Sequence, residues 1–430
     1  MTLIDSPTAP TAGGKAHTPS SLSLRSLDVL NFFLADVRDG LGPYLAIFLT
    51  SSLHWTPERV GIAMAAMLVG TVVAQTPAGA MIDRIRWKRW AVAGGAILVA
   101  LGCILMITIP TFPVIVGAQA AVGVASTVFP AAIAALSLGI VGHARMAART
   151  GRNEAFNHAG NVAAATLAGA CGYFLGYWSI FYLVAAMAVG SSISVLMIPE
   201  SDIDHDLARG SGDEGKAGGA PGAGGDEDWP PAPEGLAALF GDRRILIFSA
   251  SAVLFHFANA AMLPLVGEKV THGLDRGASV LMSACIIAAQ LVMIPVALWA
   301  SRLAETWGRK PVFLIALAVL PVRGVLYTFT ANPYLLVGIQ LLDGIGAGVF
   351  GVVSVLVVAD LTRGTGRFNL TQGALATATG LGAALSNVLT GYVVKAAGFD
   401  AGFLTLAAIA AVGLGFFAAL MPETRRQVGT

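Results

Sequence analysis

Twelve long apolar segments are the feature of this sequence that most restricts its fold. A helix needs roughly 20 apolar residues to cross a bilayer. Only 12% of the 430 residues are charged and 56% are hydrophobic, whereas soluble proteins carry about 25% charged residues. We therefore predict an all-α membrane protein with twelve transmembrane helices. The segments are 27–51, 57–82, 90–110, 113–141, 154–176, 178–198, 245–267, 278–303, 311–331, 334–360, 369–397 and 401–421.

The region between the sixth and seventh segments has a different composition from the rest. Residues 199–244 are rich in glycine, proline and acidic residues, and such a composition cannot bury enough surface to fold. We predict a flexible cytosolic linker there, joining two six-helix bundles at 25–198 and 245–421. Residues 1–24 lack the apolar core of a signal peptide, so they are predicted as a disordered cytosolic tail, and residues 422–430 are predicted as a cytosolic C-terminal tail.

The distribution of lysine and arginine predicts the orientation, because these residues accumulate in cytosolic loops. With the N-terminus in the cytosol, most of the 26 basic residues fall on the inner side. The outer side receives Arg59, Lys269, Arg276 and Lys395. We expect a multi-pass protein of the cytoplasmic membrane with both termini cytosolic. A net charge of +1 gives no indication of a nucleic-acid partner.

The two halves of the chain repeat each other at an offset of 221 residues. Each half also carries a basic loop after its second span, with a small residue, an acid and a basic cluster. Both halves begin on the same side of the membrane, so the repeats are parallel, as in some secondary transporters. The matching pairs are Pro43 and Pro264, Gln119 and Gln340, Gly123 and Gly344, and Phe129 and Phe350; the loops contain Gly79, Asp83, Arg84 and Lys88, and Ser301, Glu305, Gly308, Arg309 and Lys310.

With these residues, the chain resembles the major facilitator superfamily along its whole length. The first loop is similar to that family's signature between helices 2 and 3, although Arg86 stands where glycine is usual; the second loop lacks the first arginine. The resemblance implies two pseudo-symmetric bundles that rock about a central cavity lined by helices 1, 4, 7 and 10. It also implies a small-molecule substrate.

We interpret the two loops as a gating latch. Asp83 and Glu305 can accept hydrogen bonds from the N-terminal amides of a neighbouring helix, where the dipole favours negative charge. The basic residues that follow can pair with acids on adjacent helices. The alternative is that both loops only set the topology.

Ionisable residues inside spans are costly and indicate function. Asp36 and Asp39 share a face of span 1, beside Arg38, and are candidate proton carriers; the alternative is a self-neutralising network. The repeat places His256 and Asn259 of span 7 opposite them. His256 is a candidate proton relay or substrate contact, or else a hydrogen bond between helices.

Two further charged residues, Arg323 and Asp343, lie at similar depth in spans 9 and 10. They are expected to form a buried ion pair, or alternatively to recognise a charged substrate, with Asp343 beside Gln340. Gln119 stands where drug–proton antiporters of the family resembled usually have arginine. In span 5, Glu154 and His158 are candidate gate residues.

These observations predict a proton-coupled secondary transporter of a small organic solute, with export preferred over uptake. A non-transporting sensor with the same fold is the remaining alternative. We expect no enzyme activity and no cofactor or metal, since no nucleotide loop, zinc spacing or nucleophile motif is present. Cys103, Cys171 and Cys285 are read as buried apolar residues. A monomer is the simplest expectation.

Overall fold

The computed structural model describes residues 19–39, 41–205, 207–209, 241–274, 277–362 and 368–425. This part of the chain is helical and contains no β-strand. We number the helices by span and mark the halves of broken helices a and b. They are α1a Ser21–Asp39, α1b Gly42–Ser51, α2 Pro57–Arg84, α3 Lys88–Thr108, α4a Phe112–Ser126, α4b Val128–Val141, α5 His143–Phe174, α6 Trp178–Leu196, α7a Arg243–Asn259, α7b Met262–Leu274, α8 Gly277–Thr306, α9 Arg309–Leu326, α10 Pro333–Leu361, α11 Phe368–Ala397 and α12 Phe399–Leu420.

Each of the twelve predicted spans coincides with one of these helices, which confirms the all-α architecture. Within the described ranges, eight helical stretches are long and apolar enough to cross a membrane by length and hydropathy. The largest difference in boundaries is at α5, which begins at His143 instead of near residue 154. The first three turns of α5 are rich in polar residues, so apolar length alone does not predict them as part of the span.

Repeated prolines explain why α1 and α7 are broken at equivalent places. Proline lacks an N–H, and its ring clashes with the carbonyl group four residues earlier. For Pro43 that carbonyl belongs to Asp39, where α1a ends. For Pro264 it belongs to Ala260, directly after the end of α7a. The repeat seen in the sequence therefore produces the same local structure in both bundles.

The glycine pair at the same offset marks a repeated close contact between helices. A Cβ on Gly123 would lie 2.0 Å from the carbonyl oxygen of Met67, and one on Gly344 would lie 2.4 Å from that of Ala289. Small residues allow membrane helices to approach this closely. As a result, α2 packs directly on α4a, and α8 packs in the same way on α10.

Both described chain ends and both basic loops lie at one end of the bundle. We call this the basic end, defined by residues 19–20, 85–87, 307–308 and 421–425, and we call the other the opposite end. Residues 1–18 and 426–430 of the predicted tails lie outside the described residues. The helix α1a already begins at Ser21, within the predicted N-terminal tail.

The first residues of the predicted flexible linker are ordered. Residues 199–205 and 207–209 contain two short 3-10 helices, Glu200–Asp202 and Leu207–Arg209. The segment is ordered because Ile203 and Ala208 are buried and the amide of Asp204 donates to the carbonyl of Gly139 in α4b at 3.0 Å. The glycine-rich part at 210–240 lies outside the described residues.

Candidate functional site

A cavity of about 630 Å³ lies between the two bundles, within the usual range for small-molecule sites. All four spans that the resemblance places at the cavity contribute to its wall, and so do α2, α9 and α11. The described lining residues are Gly42, Pro43, Met64, Met67, Leu68, Thr71, Gln75, Gln119, Ser126, Thr127, Pro130, Ala131, Asn259, Ala260, Leu263, Pro264, Arg323, Asp343, Ala383 and Asn387.

Arg323 and Asp343 form an ion pair in the wall of this cavity, as the sequence predicted. The side chain of Arg323 is 1% exposed and that of Asp343 is 19% exposed, so the carboxylate is the more accessible partner. Gln340 donates to Oδ2 of Asp343 at 2.8 Å and accepts from the hydroxyl of Tyr327 at 2.5 Å. A charge buried at this depth requires a partner, and these contacts fix the carboxylate in place.

Two amide side chains, one from each bundle, add neutral polar groups to the lining. Gln119 of α4a is 2% exposed, and Asn259 ends α7a. The side-chain oxygens of both are buried and have no hydrogen-bond partner among the described protein groups. A buried acceptor without a partner costs about 1–3 kcal/mol, so both are suited to accept hydrogen bonds from a bound solute.

Two other predicted cavity residues lie behind the lining. His256 fills the space between α7a and α10: its Nδ1 is 3.1 Å from the carbonyl oxygen of Ala252, and its ring centroid is 4.8 Å from that of Phe350. This placement differs from the predicted one, since aromatic packing takes up the imidazole. Gln340 is fully buried and acts on the cavity through Asp343.

Of the two predicted proton carriers in span 1, only Asp36 has a side chain among the described residues. Asp36 is half-buried and lies outside the described lining of the cavity. Arg38 and Asp39 form the last turn of α1a, just before the break, and their side chains lie outside the described residues. The role of Asp36 and Asp39 as proton carriers stays a prediction.

Contacts between the bundles close the opposite end. Lys395 of α11 pairs with Glu58 of α2 at 2.6 Å. A Cβ on Gly61 would lie 2.3 Å from the carbonyl oxygen of Asn387, and one on Gly391 would lie 2.6 Å from that of Pro57. The helices α2 and α11 are therefore in contact at the opposite end of the bundle, and the contact continues toward the central cavity.

Two more hydrogen bonds join the bundles on other sides of the cavity. The hydroxyls of Tyr44 in α1b and Ser283 in α8 are 2.8 Å apart. Nδ1 of His158 in α5 is 3.0 Å from Oε1 of Gln290 in α8. His158, a predicted gate residue, thus contacts the other bundle, whereas Glu154 is exposed and lines a smaller cavity of about 150 Å³ beside α4b.

The basic residues of the two loops occupy matching positions. Nζ of Lys88 donates to the carbonyls of Ile82 and Ile85 at 2.6 and 2.7 Å, at the end of α2. Nη1 of Arg309 donates to the carbonyl of Ala304 at 2.7 Å, at the end of α8. A cation at a helix C-terminus satisfies carbonyls that lack helical partners, so both loops hold the ends of their preceding helices.

Glu423, and not Glu305, provides the acid at the N-terminus of α9. Its carboxylate accepts from the backbone amides of Arg309 and Lys310 at 2.8 and 3.0 Å, whereas Glu305 is exposed. Burial alone would raise the pKa of Glu423, but these amides and that of Arg425 hold it below its usual value. The helix dipole acts in the same direction.

Other residues of the second loop support the contact between Glu423 and the N-terminus of α9. Gly308 has φ +108°, and a Cβ there would lie 2.5 Å from Oε2 of Glu423. Nε of Arg309 also contacts Oδ2 of Asp360, at 3.1 Å. All these contacts join helices of one bundle. In the first loop, Gly79 has open space around it, Arg84 is exposed, and the side chain of Asp83 lies outside the described residues.

Glu423 has a counterpart in the first bundle that our sequence reading missed. Glu200 pairs with Arg89 in the first turn of α3, and Nη1 of Arg89 also donates to the carbonyl of Ile198 at 2.5 Å. The signal was present as Pro-Glu-Ser at 199–201 and Pro-Glu-Thr at 422–424. The first of these lies in the predicted linker and the second in the predicted C-terminal tail.

A buried polar cluster at the basic end was also missed. The carboxylate of Asp28 in α1a accepts from Arg149 and Arg152 of α5 at 2.6 Å each. Nε of Arg149 also donates to Oδ1 of Asn153 at 2.7 Å. The same oxygen accepts a second hydrogen bond from Nδ2 of Asn31 at 3.1 Å. Neither arginine was predicted to belong to a site. The signal was an acid at the start of a span, which requires a basic partner.

Comparison with known proteins identifies the family. A profile described as Major Facilitator Superfamily matches residues 27–305 and 288–430. Two relatives from Mycobacterium tuberculosis, the uncharacterized MFS-type transporters Rv2456c (strain ATCC 25618 / H37Rv) and MT2531 (strain CDC 1551 / Oshkosh), are each 50% identical over 401 residues, or 93% of this chain and 93% of theirs.

Solved structures agree at the level of the fold. A mutant of the nucleoside transporter NupG superposes with a TM-score of 0.77 at 17% identity, covering 93% of this chain and 100% of that one. The unmutated NupG structure gives 0.75 at 17% identity, with 93% and 99% covered. The chain therefore belongs to the major facilitator superfamily of membrane transporters.

Proposed function

We propose that this protein is a proton-coupled secondary transporter that exports a small organic solute across the cytoplasmic membrane. The observation that carries the proposal is the central cavity, whose wall comes from both bundles and contains one ion pair. A site shared by two bundles changes its access when they rock against each other. The distribution of basic residues supports a cytosolic basic end.

The chemistry of the cavity indicates the kind of solute. Met64, Met67 and Leu68 offer an apolar surface, while Asp343 offers a carboxylate beside two amide groups. A solute with an apolar body and a cationic or hydrogen-bond-donating group fits this lining. If its donor group and a proton compete for Asp343, binding of one excludes the other. Such exclusion produces exchange, with protons entering as the solute leaves.

Uptake is the second candidate, and a specific observation favours it. Gln119 and Asn259 carry buried oxygens without described partners, which suits an uncharged polar solute. Such a solute would leave Asp343 available for a proton, and simultaneous binding produces symport. The structural neighbour NupG is a nucleoside transporter, and a nucleoside would be one solute of this kind.

The other candidate residues enter the proposal as follows. Asp36 and Asp39 of α1a are proposed as an additional proton site before the break in span 1. The basic loops are proposed to hold the helix ends at the cytosolic gate rigid while the bundles move. The protein is proposed to work as a monomer, since each chain supplies both bundles.

The test begins with a panel of organic cations, zwitterions and neutral polar solutes, screened for thermal stabilisation of the purified protein. Stabilising solutes are then measured for flux into liposomes with an acidic or an alkaline interior. Exchange predicts accumulation in acid-inside vesicles, and symport predicts accumulation in acid-outside vesicles. An Asp343→Asn variant should lose accumulation under both gradients. Stabilisation without flux under either gradient would contradict transport and favour the sensor.

A further inference from the structure

The two bundles carry equivalent helices at a constant spacing, so their cavity walls can be compared residue by residue. The helix α3 begins at Lys88 and α9 begins at Arg309, while α4a begins at Phe112 and α10 begins at Pro333. The starting residues of both pairs are 221 positions apart. Each residue of α9 or α10 therefore has a counterpart in the first bundle, 221 positions earlier in the chain.

The ion pair in the cavity wall has an apolar counterpart in the first bundle. The polar group around the pair consists of four side chains, those of Arg323, Tyr327, Gln340 and Asp343. Their counterparts, in the same order, are Gly102, Met106, Gln119 and Val122. The first and last of these are still neighbours, since a Cβ on Gly102 would lie 2.8 Å from Cγ2 of Val122. The helix packing is thus retained, but only the glutamine is left of the polar group.

In the C-terminal bundle, the amide group of Gln340 is fully used. Its Oε1 accepts from the hydroxyl of Tyr327 at 2.5 Å, and its Nε2 donates to Oδ2 of Asp343 at 2.8 Å. The side chain is buried and lies outside the described lining of the cavity. Gln340 therefore holds the carboxylate in place and has no contact with a solute.

In the N-terminal bundle, the equivalent amide group is left available. Met106 and Val122 stand at the positions of the tyrosine and the aspartate, and neither side chain can donate a hydrogen bond to an amide oxygen. Both are almost fully buried. The oxygen of Gln119 is accordingly buried without a partner among the described groups, at the wall of the central cavity. An unpaired buried acceptor is unfavourable until a donor reaches it, and a bound solute can supply that donor.

Gln119 and Asp343 line the same cavity from different bundles. The two oxygens of a carboxylate offer about four acceptor positions, and Arg323 and Gln340 each take one of them. The carboxylate can therefore still accept from a cationic group in the cavity. The amide oxygen suits a neutral donor, and the rest of the lining includes apolar side chains.

We propose that the cavity selects solutes with two different polar groups on one apolar body. A cationic group binds Asp343 of the C-terminal bundle, and a neutral hydrogen-bond donor binds Gln119 of the N-terminal bundle. Met106 determines this preference indirectly, because it leaves the oxygen of Gln119 free to accept from the solute. The inference deepens the proposed function and rests on it for the role of Asp343 in binding the solute.

The experiment compares matched probes that carry one or both polar groups. Titration calorimetry on the purified protein gives Kd for tyramine, phenethylamine and para-ethylphenol, and for aminohexanol, hexylamine and hexanol. In at least one set, the probe with both groups should bind about two- to tenfold more tightly than the amine alone, the usual effect of one neutral hydrogen bond. In Gln119→Leu the ratio of the two Kd values should fall to about one.

A substitution copied from the other bundle tests the role of Met106. Met106→Tyr places a hydroxyl at the position of Tyr327, where it can donate to Gln119, so the ratio should again fall to about one. Met106→Phe is the matched control, because it adds the ring without the hydroxyl and should keep the wild-type ratio. A general loss of stability changes the affinity for both probes and leaves their ratio unaltered.

Equal affinity for both kinds of probe in the wild type, or no measurable binding of tyramine and aminohexanol, would overturn the inference. A wild-type ratio retained in Gln119→Leu or in Met106→Tyr would overturn it as well. Transport separates the two proposals. Proton-driven flux of a solute in a protein that shows no preference for the probes with both groups would refute this inference and leave the proposed function standing. The expected preference without any flux would refute the proposed function and leave the two-group site standing.

Discussion

At the scale of single residues, the cavity is built from side chains with opposite requirements. Arg323 is almost fully buried and depends on Asp343 for its neutralisation. The oxygens of Gln119 and Asn259 are buried without described partners. The first group stabilises the C-terminal bundle, whereas in the proposed function the second gains its hydrogen bonds from the solute. This difference makes the two groups separable by mutation.

Breaking the Arg323–Asp343 pair should destabilise the protein more than removing both charges. Asp343→Asn leaves a buried arginine uncompensated, which typically costs about 3–5 kcal/mol. The double variant Arg323→Gln with Asp343→Asn removes that penalty and should recover much of the lost thermal stability. We expect neither variant to accumulate solute. Full transport by the double variant would show that the pair is only structural.

Replacing the cavity amides should weaken solute binding with little effect on folding. Gln119→Leu and Asn259→Leu each remove one hydrogen bond to the solute, about 0.5–1.5 kcal/mol for a neutral partner, and should raise Kd roughly two- to tenfold. Binding is measured by titration calorimetry with the stabilising solute. Thr166→Val is the matched control, because this exposed hydroxyl contacts only its own helix. Equal affinity in all variants would place the solute elsewhere.

At the scale of elements, helix ends explain the repeated loops better than a latch between the bundles. Glu423, Gly308 and Arg309 tie together the ends of α8, α9, α10 and α12. Lys88 and Arg89 do the same for α2, α3 and α6. Each bundle is thereby fixed as a unit at the basic end, which a rocking motion requires.

A series of glycine substitutions separates backbone strain from crowding at these ends. Gly308 and Gly398 both have positive φ, +108° and +86°, but only Gly308 faces a close neighbour. An L-residue in this region costs about 1–3 kcal/mol. We expect Gly308→Ala to lower Tm most and Gly398→Ala less. Gly338→Ala, inside α10 with open space around it, should have no destabilising effect. The reverse order would refute the proposed contact with Glu423.

The contact of Glu423 with α9 should also depend on pH. Its pKa is lowered in the folded protein, so its contribution is present above the ordinary pKa of glutamate and is lost as the pH falls through the folded value. Glu423→Gln should therefore lower Tm at pH 7, where an acid at a helix N-terminus contributes about 0.3–1 kcal/mol. The difference from wild type should shrink below about pH 4. A difference that grows on acidification would contradict this assignment.

The sequence was most informative about elements and least informative about partners. Apolar length predicted all twelve spans, but it predicted spans 1 and 7 as continuous, and their breaks before Pro43 and Pro264 were seen only in the structure. The pairing of Arg323 with Asp343 was one of two interpretations of opposite charges at equal depth, the other being recognition of a charged substrate. The role of Glu423 did not follow, since the contact joins residues over 110 positions apart. Likewise, the sequence could not show that His256 faces α10 and not the cavity. This depends on the rotation of α7a about its axis, which the packing of His256 against Phe350 determines.

At the scale of the whole molecule, the contacts between α2 and α11 at the opposite end, which we call the seam, and the shared cavity fit one conformation of the rocking carrier proposed above. The bundles touch along α2 and α11 and along α5 and α8, through Lys395 with Glu58 and His158 with Gln290. The central cavity lies between them and reaches Pro130 and Ala131 in the basic half of α4. The proposed transport cycle requires that the seam opens while the basic end closes.

Locking the seam tests this account most directly. A short thiol cross-linker between Glu58→Cys and Lys395→Cys, in the background without native cysteines, should abolish solute flux and leave solute binding from the basic end intact. Cleaving the linker should restore the flux of the unlinked variant. The control pair Lys269→Cys and Asp400→Cys lies within one bundle and should transport equally before and after linking. Undiminished flux through a protein with a fully linked seam would contradict alternating access about this cavity.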